Sequence, residues 1–451
     1  MWGAQTTRAV ENVGRIAGPL PRDLIHAVVA IKIEAATVNA RLDVIAGDVA
    51  EAIVDAGTEA LDGRYADQFP VDVFQTGSGT STNMNVNEVL ARLATERSGV
   101  AVHPNDHVNA SQSSNDVFPS AIRIAALRRL HRLLLPALGR LHGHLLALAD
   151  AHADTVKLGR THLMDAVPMT FGQEAGGWAR AVELTLPPLE TAGARLHELA
   201  LGGTAVGTGL NAPPTFGSDM AQRLARRFDL PLREAADHFE SQGGQEALGA
   251  LSGACRTTAL TLNKIAGDLR LLGSGPASGL GEIEVPDLQA GSSIMPGKVN
   301  PVIQEVVHQL AAQVVGNDAA ITFASTNATL QLTTAMPMMA RNLLSNVSYC
   351  GRAADLLGDK GIALLEVNAP RMREHALRSP SLVTALAPYI GYDRAAVIGR
   401  AMLDHRLTIE EAARRELGDE AWSKLSSYVE PETMARPGRA RTADRQAPSG
   451  P

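Results

Sequence analysis

Cysteine, aromatic residues and long uninterrupted apolar runs are all scarce in this 451-residue chain. Its two cysteines, Cys255 and Cys350, lie in apolar stretches of helical spacing with no CxxC pattern. That arrangement argues against a disulfide, a thiolate zinc site and an iron–sulfur cluster, and fits buried free thiols in a reducing cytoplasm. Aromatics make up 4% of the chain, so small and aliphatic side chains must build the core, which suits closely packed helices. Basic excess is also lacking. A formal charge of −7 leaves no electrostatic footprint for nucleic acid or an acidic membrane surface. Residues 319–340 carry no charge, yet Thr322, Ser325, Thr326, Asn327, Thr329, Gln331, Thr333, Thr334 and Pro337 disqualify them as a bilayer span. They read as a core segment. The N-terminal residues include Arg8 and Glu11 and lack the apolar centre of an export signal, so a cytoplasmic protein is expected. No repeat of 20 to 50 residues is present.

Helical periodicity fills most of this frame. From Phe118 onward, Leu127, Leu134, Leu141 and Leu148 recur at heptad spacing with Leu130, Leu138 and Leu145 between them, a coiled-coil-like stripe in which Pro136 predicts a kink. Further helices are expected over roughly 172–199, 240–272, 301–320 and 337–365, and alternating β patterns are rare. The fold class is therefore mainly α, with a central bundle of long helices. The length allows roughly three domains. From about Arg436 the chain turns to Pro, Gly and Arg, the composition of a disordered tail.

Against this apolar background the run GSSIMPGKVNP, Gly291 to Pro301, stands out. Pro301 suits a first helical position and Asn300 the N-cap before it, and Ile303, Val306, Val307, Leu310 and Val314 continue at helical spacing. The run is thus a flexible loop opening a helix, where free N–H groups, the helix dipole and Lys298 favour an anion, with Gly291 and Gly297 permitting close approach. An ordinary loop with a surface lysine is the competing reading. Ser113, Ser114 and Asn115 precede another helix, and Ser113 with Asp116 matches a capping box, so capping competes with ligand contact there. Ser78 and Thr80 lie in a glycine-rich turn before a further helix, and Thr161 adds one more hydroxyl beside His162. His103 and His107 are spaced as i,i+4 ligands, but no glutamate base or third ligand accompanies them, so no metal is expected.

In order along the chain, WGAQT, QTGSGTSTNMNVNEV (from Gln75), HPNDHVNASQSSNDVFP (from His103), GRTHLMDAVPMTFGQE (from Gly159), LGGTAVGTGLNAP (from Leu201), the GSSIMPGKVNP loop and GYDRAA (from Gly391) resemble the fumarase/aspartase superfamily. Within it the chain is similar to the class II, metal-independent fumarate hydratases. That resemblance implies a lyase fold of three parts, residues 1–110, 111–368 and 369–451, and a homotetramer around a multi-helix core with each active site shared by three subunits. It implies no cofactor. The reaction implied is reversible hydration of fumarate to L-malate by anti addition through an aci-carboxylate intermediate. By the same resemblance Ser292 is the general base at C3, and His162, held by Glu305, serves the acid side through water. Lys298 and Asn300 stabilise the intermediate. Ser78, Thr80, Ser113, Ser114, Asn115 and Thr161 bind the dicarboxylate. His103, Asn105 and Asp106 correspond to a second, peripheral dicarboxylate site, although Val100 stands where the family carries a basic residue.

The chief competitor is aspartate ammonia lyase, whose pattern has glutamine after GRT where this chain has His162. Another fumarate-releasing lyase acting on a substituted succinate, and a non-catalytic protein on a lyase scaffold, are the remaining alternatives. Three departures from the hydratase pattern bear on this choice. Ala277 and Met336 stand in place of arginines and Thr333 in place of an asparagine.

Overall fold

The computed structural model describes residues 1–436, so all but the first residue of the expected tail lies outside the described residues. Helices dominate, as the periodicity predicts, and the described chain divides into two units.

The first unit comprises Met1–Leu138, Leu184–Leu260 and Gln309–Ala353. Its helices Arg22–Arg41, Gly47–Leu61, Thr80–Ser98 and Ser114–Arg129 bury small and branched residues, as the shortage of aromatics requires. Two buried acids tie its N-terminal segment down. Glu88 accepts N–H bonds from Gly3, Gln5 and Thr6 and the Thr6 hydroxyl, so the WGAQT motif is anchored by the glutamate of the NEV motif. Asp72 accepts from the N–H groups of Ile16, Ala17 and Gly18 at 3.0, 2.9 and 2.6 Å, and from Phe74 at 2.9 Å.

The leucine stripe is a long helix interrupted once. Helix Ser114–Arg129 passes through a π turn, Leu130–Leu134, into helix Leu135–Ala151. Pro136 lacks the N–H that would bond the carbonyl four residues back, and the widened turn just before it accommodates that loss. Cys255 and Cys350 are buried free thiols, with the Cys350 Sγ–H donating to the Cys255 carbonyl.

Residues 319–340 differ from the expected core segment. Ile321, Ala324, Met336 and Met339 are buried, but between them the chain forms a hairpin, Ala328–Thr329 with Leu332–Thr333, whose Leu330 is 86% exposed. The Thr/Asn/Gln-rich middle makes a turn in which Leu330 adopts φ 55°, so the absence of charge did not signify burial.

The second unit comprises Gly139–Glu183, Thr261–His308 and the chain from Ala354. A twisted hairpin pairs Val156–Thr161 with Met164–Thr170, and strand Ile283–Glu284 pairs antiparallel with Glu366–Val367. A helical C-terminal module has its own core of Leu382, Leu386, Ile398, Met402 and Trp422.

Candidate active site

In the second unit the signature loop, residues 291–301, has no regular secondary structure and is largely exposed. Its shape is set locally. The Asn300 side-chain amide donates to the Gly291 carbonyl at 2.6 Å and closes the loop, and a Cβ on Gly291 would stand 1.9 Å from the Lys298 carbonyl oxygen. The closure uses the Asn300 amide N–H, and among the described residues no N–H donates to its Oδ1 as a helix cap. The helix starts at Val302, and Pro301, expected at its first position, supplies the carbonyl that accepts the Glu305 N–H. Ser292 is half-buried, and its Oγ accepts N–H bonds from Ile294 at 3.2 Å and Met295 at 3.0 Å. These two donors make an ordinary serine turn, and they also supply positive potential where a serine oxyanion would develop. Lys298 is exposed and lines a cavity of about 600 Å3 together with Ala277, Glu284, Asn368 and Arg371.

His162 and Leu163 form the two-residue turn of the hairpin, with φ of 55° and 62°. Such a turn needs left-handed backbone at both positions, normally supplied by Asn-Gly, so each of these residues carries strain of about 1–2 kcal/mol. Strain held at an exposed histidine points to function. A bulge at Gly159 breaks the strand register just below, where a Cβ would lie 2.9 Å from the Val167 carbonyl oxygen. Thr161, the last residue of its strand, is exposed beside His162. Among the described residues His162 makes no hydrogen bond or ion pair with the half-buried Glu305, so the expected pairing does not form within one subunit.

In the first unit Ser78, Thr80 and Ser114 form a chain of hydroxyls, with oxygen separations of 2.8 and 2.6 Å. The contact joins the N-termini of helices Thr80–Ser98 and Ser114–Arg129, so two dipoles present positive ends at one place, a setting for a carboxylate. Gly79, at φ 76°, packs so close to the Phe118 ring that a Cβ would stand 2.4 Å away. Ser113 and Asp116 form the expected capping box. Asn115 donates to the Ala205 carbonyl at 2.8 Å.

Beneath these helix ends lies a residue the sequence reading passed over. Lys32 is fully buried in helix Arg22–Arg41, and its Nζ donates to Asn109 Oδ1 at 2.9 Å and Gln112 Oε1 at 3.0 Å. Burial lowers its pKa to about 7 and raises that of Asp116 to about 7, against the N–H bonds from Ser113, Thr204 and Gly202 and the charge of Lys32. A lone lysine in AVVAIKIEAA was the available signal.

His103, Asn105 and Asp106 are exposed, on a π turn rather than an α-helix. His103 Nδ1 accepts the Asp106 N–H at 3.1 Å, and His107 Nδ1 accepts the His103 N–H at 3.0 Å, so both rings face their own backbone.

Comparison with known proteins identifies the family of the chain. Residues 1–316 match the Lyase family and residues 382–436 the fumarase C C-terminus. The class II fumarate hydratase of Mycobacterium tuberculosis (strain H37Rv) is 50% identical over 422 residues, covering 93% of this chain and 89% of that protein. This chain belongs to the class II fumarate hydratase family. The Corynebacterium glutamicum class II fumarate hydratase is 47% identical, with 91% and 87% covered. A solved class II fumarase from Schistosoma mansoni superposes with a TM-score of 0.92 at 35% identity, covering 97% and 96% of the two chains. Within this hydratase family the departures at 333 and 336 have packing explanations. Thr333 is buried and its hydroxyl donates to the Gly243 carbonyl at 2.9 Å, while Met336 is fully buried, where an apolar side chain carries no desolvation cost.

Proposed function

We propose that this protein catalyses the reversible hydration of fumarate to L-malate by anti addition and elimination. The observation that carries the reading is membership of the class II fumarate hydratase family with histidine at position 162, on a strained turn. In dehydration Ser292 acts as its alkoxide, whose charge the Ile294 and Met295 N–H groups stabilise, and it takes the C3 proton to become the neutral hydroxyl while the electron pair left at C3 is delocalised into the aci-carboxylate. Lys298 supplies positive charge to the aci-carboxylate, and Asn300 offers the N–H not bonded to Gly291. His162 passes a proton through water to the departing hydroxyl. Loss of hydroxide demands such an acid, whereas an ammonium group leaves as neutral ammonia. The hydroxyls of Ser78, Thr80 and Ser114, with Ser113, Asn115 and Thr161, hold the carboxylates.

Glu305 supports His162 from another subunit in this reading, because the two do not pair within one. The enzyme is accordingly a homotetramer whose sites each draw on three subunits, acting in the cytoplasm. His103, Asn105 and Asp106 are left with at most a weak peripheral anion site, since Val100 adds no positive charge there. An absorbance assay in the fumarate band with L-malate, L-aspartate and argininosuccinate tests the reading. L-malate should be the substrate that yields fumarate, and faster release from either of the others would contradict it.

A further inference from the structure

Within the second unit, the fully buried Glu282 joins three stretches of chain. Its Oε1 accepts from Arg160 Nη2 at 2.6 Å, on strand Val156–Thr161, and from His375 Nδ1 at 2.8 Å, on helix Ala369–Arg378. Its own backbone is fixed as well, the N–H donating to the Leu272 carbonyl at 2.9 Å and the carbonyl accepting from Asn368 at 3.0 Å. Lys157 Nζ, also buried, stands 3.3 Å from Oε2 and donates to Glu174 Oε2 at 2.5 Å. Burial by itself raises the pKa of Glu282, but Arg160, Lys157 and His375 outweigh it and hold the carboxyl below its ordinary value. Glu282 and Glu174 are thus matched by Arg160 and Lys157, with the His375 ring donating from Nδ1.

A buried cluster of this kind adds little net stability compared with apolar packing, while breaking it strands a charge. Its placement offers a different return. Arg160 immediately precedes Thr161 and His162, and Glu282 leads through strand Ile283–Glu284 toward the loop that starts at Gly291. We infer that Glu282 is a positioning residue, which grips Arg160 and His375 and so fixes the base of the His162 turn against the strand from which the Ser292 loop departs. The inference rests on the hydratase reading for its effect on rate, and on geometry alone for its effect on the two loops.

The test is Glu282→Gln in the full chain, a change that keeps volume and one acceptor oxygen but strands the cations. Misplacement of catalytic groups lowers turnover more than binding, so kcat for L-malate dehydration should fall about tenfold or more with KM within about twofold, and the pH limbs of kcat should move. Amide exchange should quicken in both 158–165 and 283–300. Glu282→Asp, which retains the charge, should recover part of kcat. His375→Gln, which retains an N–H donor, should lose less than His375→Leu. If Glu282→Gln does not accumulate as folded protein, Arg160→Lys is read in its place by the same criteria. Wild-type kcat and exchange in the variant would overturn the inference, as would a response in one loop without the other. If the wild-type protein does not dehydrate L-malate the functional reading fails, and the paired exchange response still decides the positioning role.

Discussion

In the proposed mechanism Ser292 is the base, and the N–H groups of Ile294 and Met295 that donate to its Oγ stabilise the alkoxide this role requires. Ser292→Ala removes the base but few binding contacts, so turnover of L-malate should drop by about a thousandfold or more while dicarboxylate binding persists. Single-turnover rates and equilibrium binding measured on the same preparation separate the two effects. Asp72 is a residue of the opposite kind, whose carboxylate is taken up by backbone N–H groups. Burial opposes its charge, yet the N–H groups of Phe74, Gly18, Ala17 and Ile16 prevail and hold its pKa below 3.8. A carboxylate with a depressed folded pKa stabilises above its unfolded value and loses that contribution as pH falls through the folded one. Asp72→Asn should therefore cost about 2 kcal/mol at pH 7 and progressively less below pH 3.8, read from denaturant midpoints across pH. Little of this was legible in the sequence. Ser292 and Lys298 were visible because their motif is local, whereas Asp72 and Lys32 act on partners far along the chain.

At the scale of elements, helices were legible and hairpins were not. The leucine stripe between Leu127 and Leu148 repeats often enough to fix a helix, and Pro136 marks where its hydrogen-bond ladder must give. The strands Val156–Thr161 and Met164–Thr170 hide because their turn is His-Leu instead of Asn-Gly, and the Leu330 turn hides for the same reason. In both places the local rule is broken, and at His162 the reading assigns a purpose to the break. Leu163→Gly should relax the second turn position and raise stability by roughly 1 kcal/mol. A thermal melt checks this, and a fall in stability would show that Leu163 packs against something in the assembled protein.

The whole molecule leaves large apolar side chains in solvent when a single chain is considered. Ile294 is 83% exposed and Phe323 72%. In the proposed homotetramer such side chains are available for burial between subunits, and the shared-site account makes a sharper demand than oligomerisation alone. Subunits carrying Ser292→Ala and subunits carrying Ser114→Ala, each inactive by itself, should regain a fraction of wild-type activity when unfolded and reassembled together, since some sites then combine intact segments from different chains. Hybrids no more active than the parents would show that each site is built from one subunit.

The central claim is that His162 makes this chain a hydratase and not an ammonia lyase, and His162→Gln assayed on both substrates tests it most directly. Glutamine keeps a hydrogen bond but supplies no proton, so L-malate dehydration should fall about a hundredfold or more without a comparable gain of ammonia release from L-aspartate. Retention of malate dehydration by the variant, or ammonia release by the wild-type protein that outpaces its malate dehydration, would contradict the account.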